Sequence, residues 1–442
     1  MHNDRKPPQE APPPVKTHPG LIRQVRTYRL ITPLFGGGAE PQKPDEVTVV
    51  RASEIRGILR FWWRAIRGGR YPTIEKLRQA EDAIWGSAAG KEKSGPSPVS
   101  LEVRVLQRGR KRHEVQIPTR NGPKRYPFGD PRSPYGYVAF PLRDSGNGVQ
   151  DGVEFALYIT IRDTSVQAGG KTLDVVEEVE AAVWAWETFG GVGARTRRGF
   201  GALELVKVEE NGEEKSVDRL PASPSQVKSW IMDRLGRYVA GDYRLSDVPH
   251  LSRQPLLEVL PQTFRDGESA WKALIIKLQE FRQKRHKRFG LSLWPEANVI
   301  RKIHGLPMKW PPGILNPQFV EKFPRARFGL PIIFPMPHDK RLKNMDILLY
   351  GQASKDNDKH LDRLASPLIL RPLACQEGYV GLALVLEGPK EPPGGLLLET
   401  DGKTHPIRAD LTQQEASQEP LRRILHGEPD VLKAFLKTLK NS

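Results

Sequence analysis

Between Arg26 and Val208 the apolar residues recur in a fixed order of periods: strand, helix, strand, strand, helix, strand. "RTYRLITPLF" (Arg26 to Phe35) alternates as a strand does and stops at "GGGAEPQKP". "EVTVV" reads as a short strand, after which Ser53 stands where a helix N-cap is expected. In "EIRGILRFWWRAIRGG", Ile55, Ile58, Leu59, Trp62 and Ile66 return at helical spacing, and Gly68 and Gly69 close the element. A weaker helix runs from Thr73 to Trp85. "VSLEVRVL" and "VEFALYITI" give two further strands, Leu173 to Phe189 a second helix, and "ALELVKV" the last strand. That order predicts an α+β fold of the split βαβ, ferredoxin-like kind, an antiparallel sheet backed by two helices.

At 442 residues the chain is long for one core, so two domains are expected. "NGEEKSVDRLPASPSQ" reads as a linker. The predicted division is a proline-rich, disordered tail over 1–20, a first domain over 21–210 and a second over 211–442. The second is also α+β, with helices near 225–239 and 268–288, the strands "FGLPIIF", "DILLYG", "SPLILRPLA" and "VGLALVLEG", and a C-terminal helix. In that last helix Val431, Leu432, Phe435, Leu436 and Leu439 share one face. Periodicity does not order the strands of this half.

Composition narrows the function. No apolar run reaches the roughly 20 residues of a membrane helix, and the N-terminal segment has no apolar core of a secretion signal. A soluble, cytoplasmic protein is expected. The lone cysteine, Cys375, excludes an internal disulfide and any multi-cysteine metal site. No cofactor or metal is indicated. Sixty-nine Lys and Arg against 52 Asp and Glu leave a formal charge of +17, a field that gathers polyanions by releasing their counterions. Nucleic acid is the leading partner class.

"GGVGARTRRGFG" (Gly190 to Gly201) concentrates five glycines and three arginines in twelve residues. A dinucleotide fingerprint needs a third glycine where Thr196 stands, and a helix after the loop instead of before it. "SVQAGGKT" lies between strand and helix as a P-loop would, but Ser165 replaces the first glycine, so a turn before a cap at Thr172 is the plainer reading. "RGFGALEL" matches the start of the RNA-recognition signature, yet Ala202 and Leu205 occupy the stacking positions. What survives is a loop with permissive backbone and Arg195, Arg197 and Arg198, suited to wrapping a sugar-phosphate chain. A helix-to-strand turn with solvated arginines is the alternative.

Six arginines, no lysine and one acid, Glu54, lie between Arg51 and Arg70. Arg56, Arg60 and Arg64 fall on one helical stripe at i, i+4 and i+8, with no acidic partner at i±4 to relieve their repulsion. Trp63 falls at its border, placed to stack on a base. A solvated basic face remains the alternative. "FRQKRHKR" (281–288) is basic at a helix end, where the helix dipole accounts for part of it. Residues 107–136 form a basic, Pro/Gly-rich excursion that also suits packing on a neighbouring subunit.

"ITPLFGGGAE", "SEIRGILRFWWRA" and "GVGARTRRGFG" together resemble the RAMP superfamily of CRISPR proteins, within it the first subunits of type III-B Cmr effector complexes. "EANVIRKI", "ARFGLPIIF" and "SPLILRPL" extend the likeness over most of residues 21–390. The resemblance implies two tandem ferredoxin-like (RRM-like) βαββαβ domains, with the glycine-rich loop closing the first. It also implies a non-catalytic, RNA-binding role at one end of a ribonucleoprotein in antiviral defence. There the subunit would hold the 3′ end of the guide (CRISPR) RNA and adjoining single-stranded target RNA, beside a sister RAMP subunit and the backbone subunits. Carried onto this chain, the RNA groove draws on Gly36, Gly37, Gly38, Arg56, Arg60, Trp63 and Arg64. From the loop it takes Gly191, Gly193, Arg195, Arg197, Arg198, Gly199 and Phe200, and from the second half Lys302 and Arg371.

The competing class is a metal-independent endoribonuclease of the same superfamily, acting on guide or target RNA. Cleavage needs a general base and acid near the 2′-hydroxyl. The ten histidines are scattered, without an H-x₃-H or HExxH pair, and His304 and His113 are the candidates. A purely structural subunit, its charges meeting acidic protein neighbours, is a third class. Salt separates it from a binder: neutralising about six phosphates gives log K against log salt a slope near −4 for single-stranded RNA.

Overall fold

The computed structural model describes residues 20–440 apart from 39, 41, 42, 44, 46, 88–95, 144, 146, 287, 338, 355, 356 and 362. All but one residue of the proline-rich tail therefore lies outside the described residues. The first half runs β1 (Ile22–Leu30), α1 (Ala52–Arg67), α2 (Ile74–Trp85) and β2 (Val99–Gln107). The excursion contributes β3 (Arg110–Arg112), β4 (Glu114–Ile117), β5 (Lys124–Pro127), the single turn α3 (Gly136–Ala139) and β6 (Val149–Asp151). Then come β7 (Glu154–Ile161), β8 (Ser165–Ala168), β9 (Lys171–Asp174), α4 (Val175–Phe189), β10 (Leu203–Glu210) and the short β11 (Glu213–Lys215). The main sheet has the order β11-β10-β1-β7-β2, antiparallel throughout. With β11 set aside, its four strands stand in the arrangement that two βαβ crossovers make when split by a hairpin connection.

Local chemistry explains where the elements depart from the sequence pattern. α1 starts at Ala52 with Arg51 at the N-cap, and Ser53 lies inside the helix. Of "EVTVV", the described residues Val47 to Val50 form no strand: Asp45 Oδ1 accepts from the amides of Val47 (2.9 Å) and Thr48 (2.7 Å), an Asx turn that pulls the backbone out of extension. "SVQAGGKT" is the β8–β9 hairpin, and Asp174, not Thr172, caps α4 by accepting from Glu177 N at 3.0 Å.

The second half opens with α5 (Pro224–Tyr238), β12 (Leu257–Val259), α6 (Gly267–Arg282) and α7 (Glu296–Ile303). It continues with β13 (Ile332–Ile333), β14 (Ile347–Ser354), β15 (Asn357–Leu361), β16 (Leu368–Ala374) and β17 (Tyr379–Val385). β18 (Leu396–Thr400), β19 (Lys403–Ile407), α8 (Gln413–Ser417), α9 (Arg422–Leu425) and α10 (Val431–Lys440) complete it. One antiparallel sheet has the order β12-β17-β16, and a second has β13-β14-β18-β19 with β15 also paired to β14. The fold is mixed α/β built on antiparallel sheets. Among the described residues the first of these two sheets holds three strands, one fewer than a full second βαββαβ unit requires.

β16 and β17 are buried on both faces. Ile369, Leu373, Val380, Leu382 and Leu384 join the first half's core, while Leu368, Leu370, Ala383 and Val385 pack with Leu274, Leu278 and Phe281 of α6 and Phe435 of α10. This explains why α4, pressed between two sheets, is apolar on nearly every side. α5 follows the boundary at residue 210, yet its Val227, Ile231 and Leu235 lie in the same core as α4. The α10 face reads as the pattern predicts, with Val431, Leu432, Phe435, Leu436 and Leu439 buried.

Candidate nucleic-acid interface

The glycine-rich loop is closely packed. Val192 N donates to Gly201 O at 3.0 Å and Ala194 N to Phe35 O at 2.6 Å, which binds the loop to the chain leaving β1. Gly193 has φ +81°, and a Cβ there would sit 2.6 Å from Leu34 Cδ1 and 2.7 Å from Phe35 O. A Cβ on Gly37 would come 3.3 Å from Gly193 Cα, so the two glycine segments lie backbone against backbone. Gly36 is buried and Gly37 and Gly38 are half-buried beside them. The N-terminus of α1 joins both: Arg51 Nη2 donates to Gly37 O at 2.6 Å, and Gly193 N donates to Glu54 Oε1 at 2.5 Å. Burial lifts the Glu54 carboxyl above its ordinary range against the opposing pull of that amide and of Arg51. The N-terminal end of α1 and the two glycine segments thus meet at one place, as the sequence order permits.

The loop's arginines are held by carbonyl oxygens. Arg195 Nη1 donates to Val138 O at 3.0 Å, and its guanidinium lies 4.6 Å from the centroid of Phe140. Arg197 Nη1 donates to Ser366 O at 2.6 Å and lies 5.4 Å from the Phe61 ring. Arg198 reaches Leu368 O at 3.2 Å and Phe328 O at 3.0 Å. None of the three is within ion-pair distance of a carboxylate among the described residues. Burial, with Arg363 second, pushes Arg195 down to about 10; burial, with Arg282 second, pushes Arg198 down to about 9; burial alone lowers Arg197. All three stay protonated at neutral pH, a concentration of positive charge that has no counter-charge among the described residues and so costs stability in the isolated chain.

Other predicted residues do different work. Arg60 Nε donates to Glu81 at 2.5 Å and its Nη2 to Asp82 at 3.1 Å, while Arg64 pairs with the same Glu81. Arg56 donates to the carbonyls of Trp85 (2.9 Å) and Val99 (3.1 Å). The stripe therefore fastens α2 and the start of β2 to α1; the acids that relieve it come from another helix, not from i±4. Trp63 is fully buried and its Nε1 donates to Glu178 at 2.6 Å, so it offers no face to a base. Phe200 is fully buried too, 5.2 Å from Phe35 and 4.7 Å from Trp271 between centroids. A Cβ on Gly191 would meet Gly201 O at 2.7 Å, and one on Gly199 the Trp271 ring at 2.4 Å, which makes both packing positions. Arg371 is buried and donates to Glu187 O at 2.8 Å and Leu203 O at 3.1 Å, a tie between the halves. Lys302 pairs with Glu321 at 2.9 Å on α7 and lies over Phe319, with no contact to the loop.

Arg363, exposed, belongs to this site although no local pattern points to it, and the exposed Arg143 follows Phe140 closely in the chain. Arg363 is the charge that Arg195 senses, and Arg143 N donates to Phe140 O at 3.1 Å beside the exposed Phe140 ring. Neither is in an ion pair among the described residues. Arg195 and Arg363 are far apart in the chain, a proximity no local pattern carries. His304 Nε2 lies 2.8 Å from Thr400 Oγ1 and His113 is exposed in the excursion. No group of three or more His, Cys, Asp or Glu is placed to hold a metal among the described residues, and no helix there is long and apolar enough to cross a membrane.

The model of the RAMP superfamily matches residues 27–204, which run from within β1 to the start of β10 and include the glycine loop. The CRISPR system Cmr subunit Cmr1-2 of Pyrococcus furiosus is 25% identical over 201 residues, covering 43% of this chain and 98% of the relative. Subunit Cmr1-1 of the same organism is 23% identical over 282 residues, covering 60% of this chain and 76% of the relative. Among solved structures, the crystal structure of Cmr1 from Pyrococcus furiosus in its apo form aligns with a TM-score of 0.46 at 16% identity, over 84% of this chain and 89% of the other. A chain from the cryo-EM structure of the type III-B Cmr-beta complex bound to cognate target RNA aligns with a TM-score of 0.46 at 14% identity, over 94% and 99%.

Proposed function

We propose that this chain, a RAMP-superfamily protein similar to Cmr1, is an RNA-binding subunit of a type III-B CRISPR effector, holding the 3′ end of the guide RNA and adjoining target RNA without cutting either. Its partners in this reading are the guide, the target, a sister RAMP subunit and the backbone subunits, in the cytoplasm. The second half is read as a divergent copy of the first, since β12, β17 and β16 follow the order of the equivalent strands β1, β7 and β2. One observation carries the reading: Arg195, Arg197 and Arg198 lie together, Arg195 beside Arg363, with carbonyls and rings for partners and, among the described residues, no carboxylate. A phosphate strand supplies the missing counter-charge, and Arg195, stacked on exposed Phe140, sits where a backbone and a base would both be met.

The test is a salt titration with labelled single-stranded RNA. Arg195→Ala with Arg363→Ala weakens binding to all sequences alike and flattens the log–log slope by about 1.4. Affinity and slope equal to wild type in the folded double variant refute the site. Incubation with labelled guide and target, with and without magnesium, separates binder from nuclease. The wild type leaves the RNA whole; site-specific cleavage lost in His304→Ala or His113→Ala establishes the nuclease instead.

A further inference from the structure

The excursion between β2 and β7 carries eight Lys and Arg against two acids over residues 107–136. Its root is built into the molecule. Phe128 stacks on Tyr135 at 4.7 Å between centroids, Tyr135 on Trp271 at 4.8 Å, and Arg112 pairs with Asp151 and with Glu268 of α6 at 2.9 and 2.8 Å. Val115 and Phe128 share one apolar cluster with Phe35 and Phe200 of the glycine segments. Beyond that root, β4 and β5 run out as a hairpin paired from Glu114 with Pro127 to Ile117 with Lys124, turning at Thr119 to Gly122. Two four-residue strands project about 13 Å.

The hairpin's outer cations have no local explanation. Arg120, Lys124 and Arg125 are exposed and none is in an ion pair among the described residues. Asp130 is already taken by Arg132, at 2.7 Å. The only acid on the hairpin itself, Glu114, lies at its root. No large apolar side chain of residues 110–139 is among the exposed ones described, so the hairpin lacks the apolar or aromatic anchors on which a protein interface centres. Unpaired cations without apolar anchors, standing on the rim of a second cationic site, fit a polyanion.

We infer that the β4–β5 hairpin is a second phosphate-binding element, which grips the sugar-phosphate backbone of the same RNA strand where it leaves the glycine-loop site. The inference rests on the RNA-binding reading above and adds that the footprint extends outward along the hairpin. Binding there is through charge and is blind to sequence.

The experiment uses the full chain and two labelled RNAs, one of about 6 nucleotides and one of about 20. The variant Arg120→Ala/Lys124→Ala/Arg125→Ala binds the longer RNA roughly 50-fold more weakly at 0.15 M salt, its slope shallower by about 2, and binds the shorter one as wild type does. Crosslinking of 4-thiouridine in the longer RNA to the peptide spanning 118–125 gives a readout independent of that variant's folding. Wild-type affinity of the variant for both lengths, or crosslinks confined to the glycine loop, overturns the hairpin assignment and leaves the first site standing. An equal loss for both lengths also overturns it, since the hairpin then acts through the first site. If the wild type binds neither RNA, the RNA-binding reading itself falls. Unchanged RNA binding with weakened capture of an acidic protein neighbour assigns the hairpin to a subunit contact.

Discussion

The indole Nε1 of Trp271 donates to the carbonyl oxygen of Arg198 at 2.6 Å, so a helix of the second half fixes the loop that closes the first sheet. The ring can approach because residue 199 is glycine, at φ +87°, where a Cβ would meet Trp271 Cδ1 at 2.4 Å and Nε1 at 2.5 Å. Gly199→Ala adds left-handed strain to an overpacked contact and is expected to cost about 2–4 kcal/mol. Chemical denaturation checks this, with a midpoint equal to wild type as the contrary result.

The pairing of Glu81 with both Arg60 and Arg64 turns a cationic stripe into a helix-to-helix fastening. Glu81→Ala leaves two half-buried guanidinium groups short of their main partner and is expected to cost about 1–3 kcal/mol. Arg60→Ala with Arg64→Ala is expected to loosen α2, read as faster amide exchange there, and to leave RNA affinity and its salt slope unchanged. A flattened slope in that double variant would return the stripe to the RNA-binding surface.

Glu54 gives the loop a pH dependence. Its carboxyl is raised from the ordinary value of 4.5 chiefly by burial, so the folded chain holds this proton more tightly than the unfolded one. The corresponding stability is fully present below pH 4.5 and is lost as pH rises through the raised value. Glu54→Gln keeps an acceptor for Gly193 N–H and removes the titration. Urea unfolding of the two proteins is expected to show the variant gaining on wild type between pH 4 and pH 7, and parallel stability curves would contradict the assignment.

The first sheet was legible because its strands and helices announce themselves by period, and because chain order limits how they can pair. The family likeness was legible in the glycine and arginine motifs. Side-chain partnerships across elements were not. Arg60 and Arg64 look unpaired when only i±4 is inspected, since Glu81 lies on the next helix. Trp63, at the border of the arginine stripe by helical spacing, turns inward because Glu178 of α4 supplies a buried acceptor for its indole. Arg363 reaches the site through tertiary folding alone. The second half read poorly because β16 and β17 are covered on both faces, which erases the polar alternation that would mark a strand with one wet side.

Arg371 and Arg198 cross from half to half to bare peptide carbonyls, bonds that neither half can satisfy from within its own sheet. Scission of the connecting segment near residue 215 would thus leave two fragments that stay associated under native conditions. In the proposed RNA-binding role, a loop pinned from both sides is expected to meet the strand already shaped, with the entropy of ordering lost during folding instead of at the moment of capture.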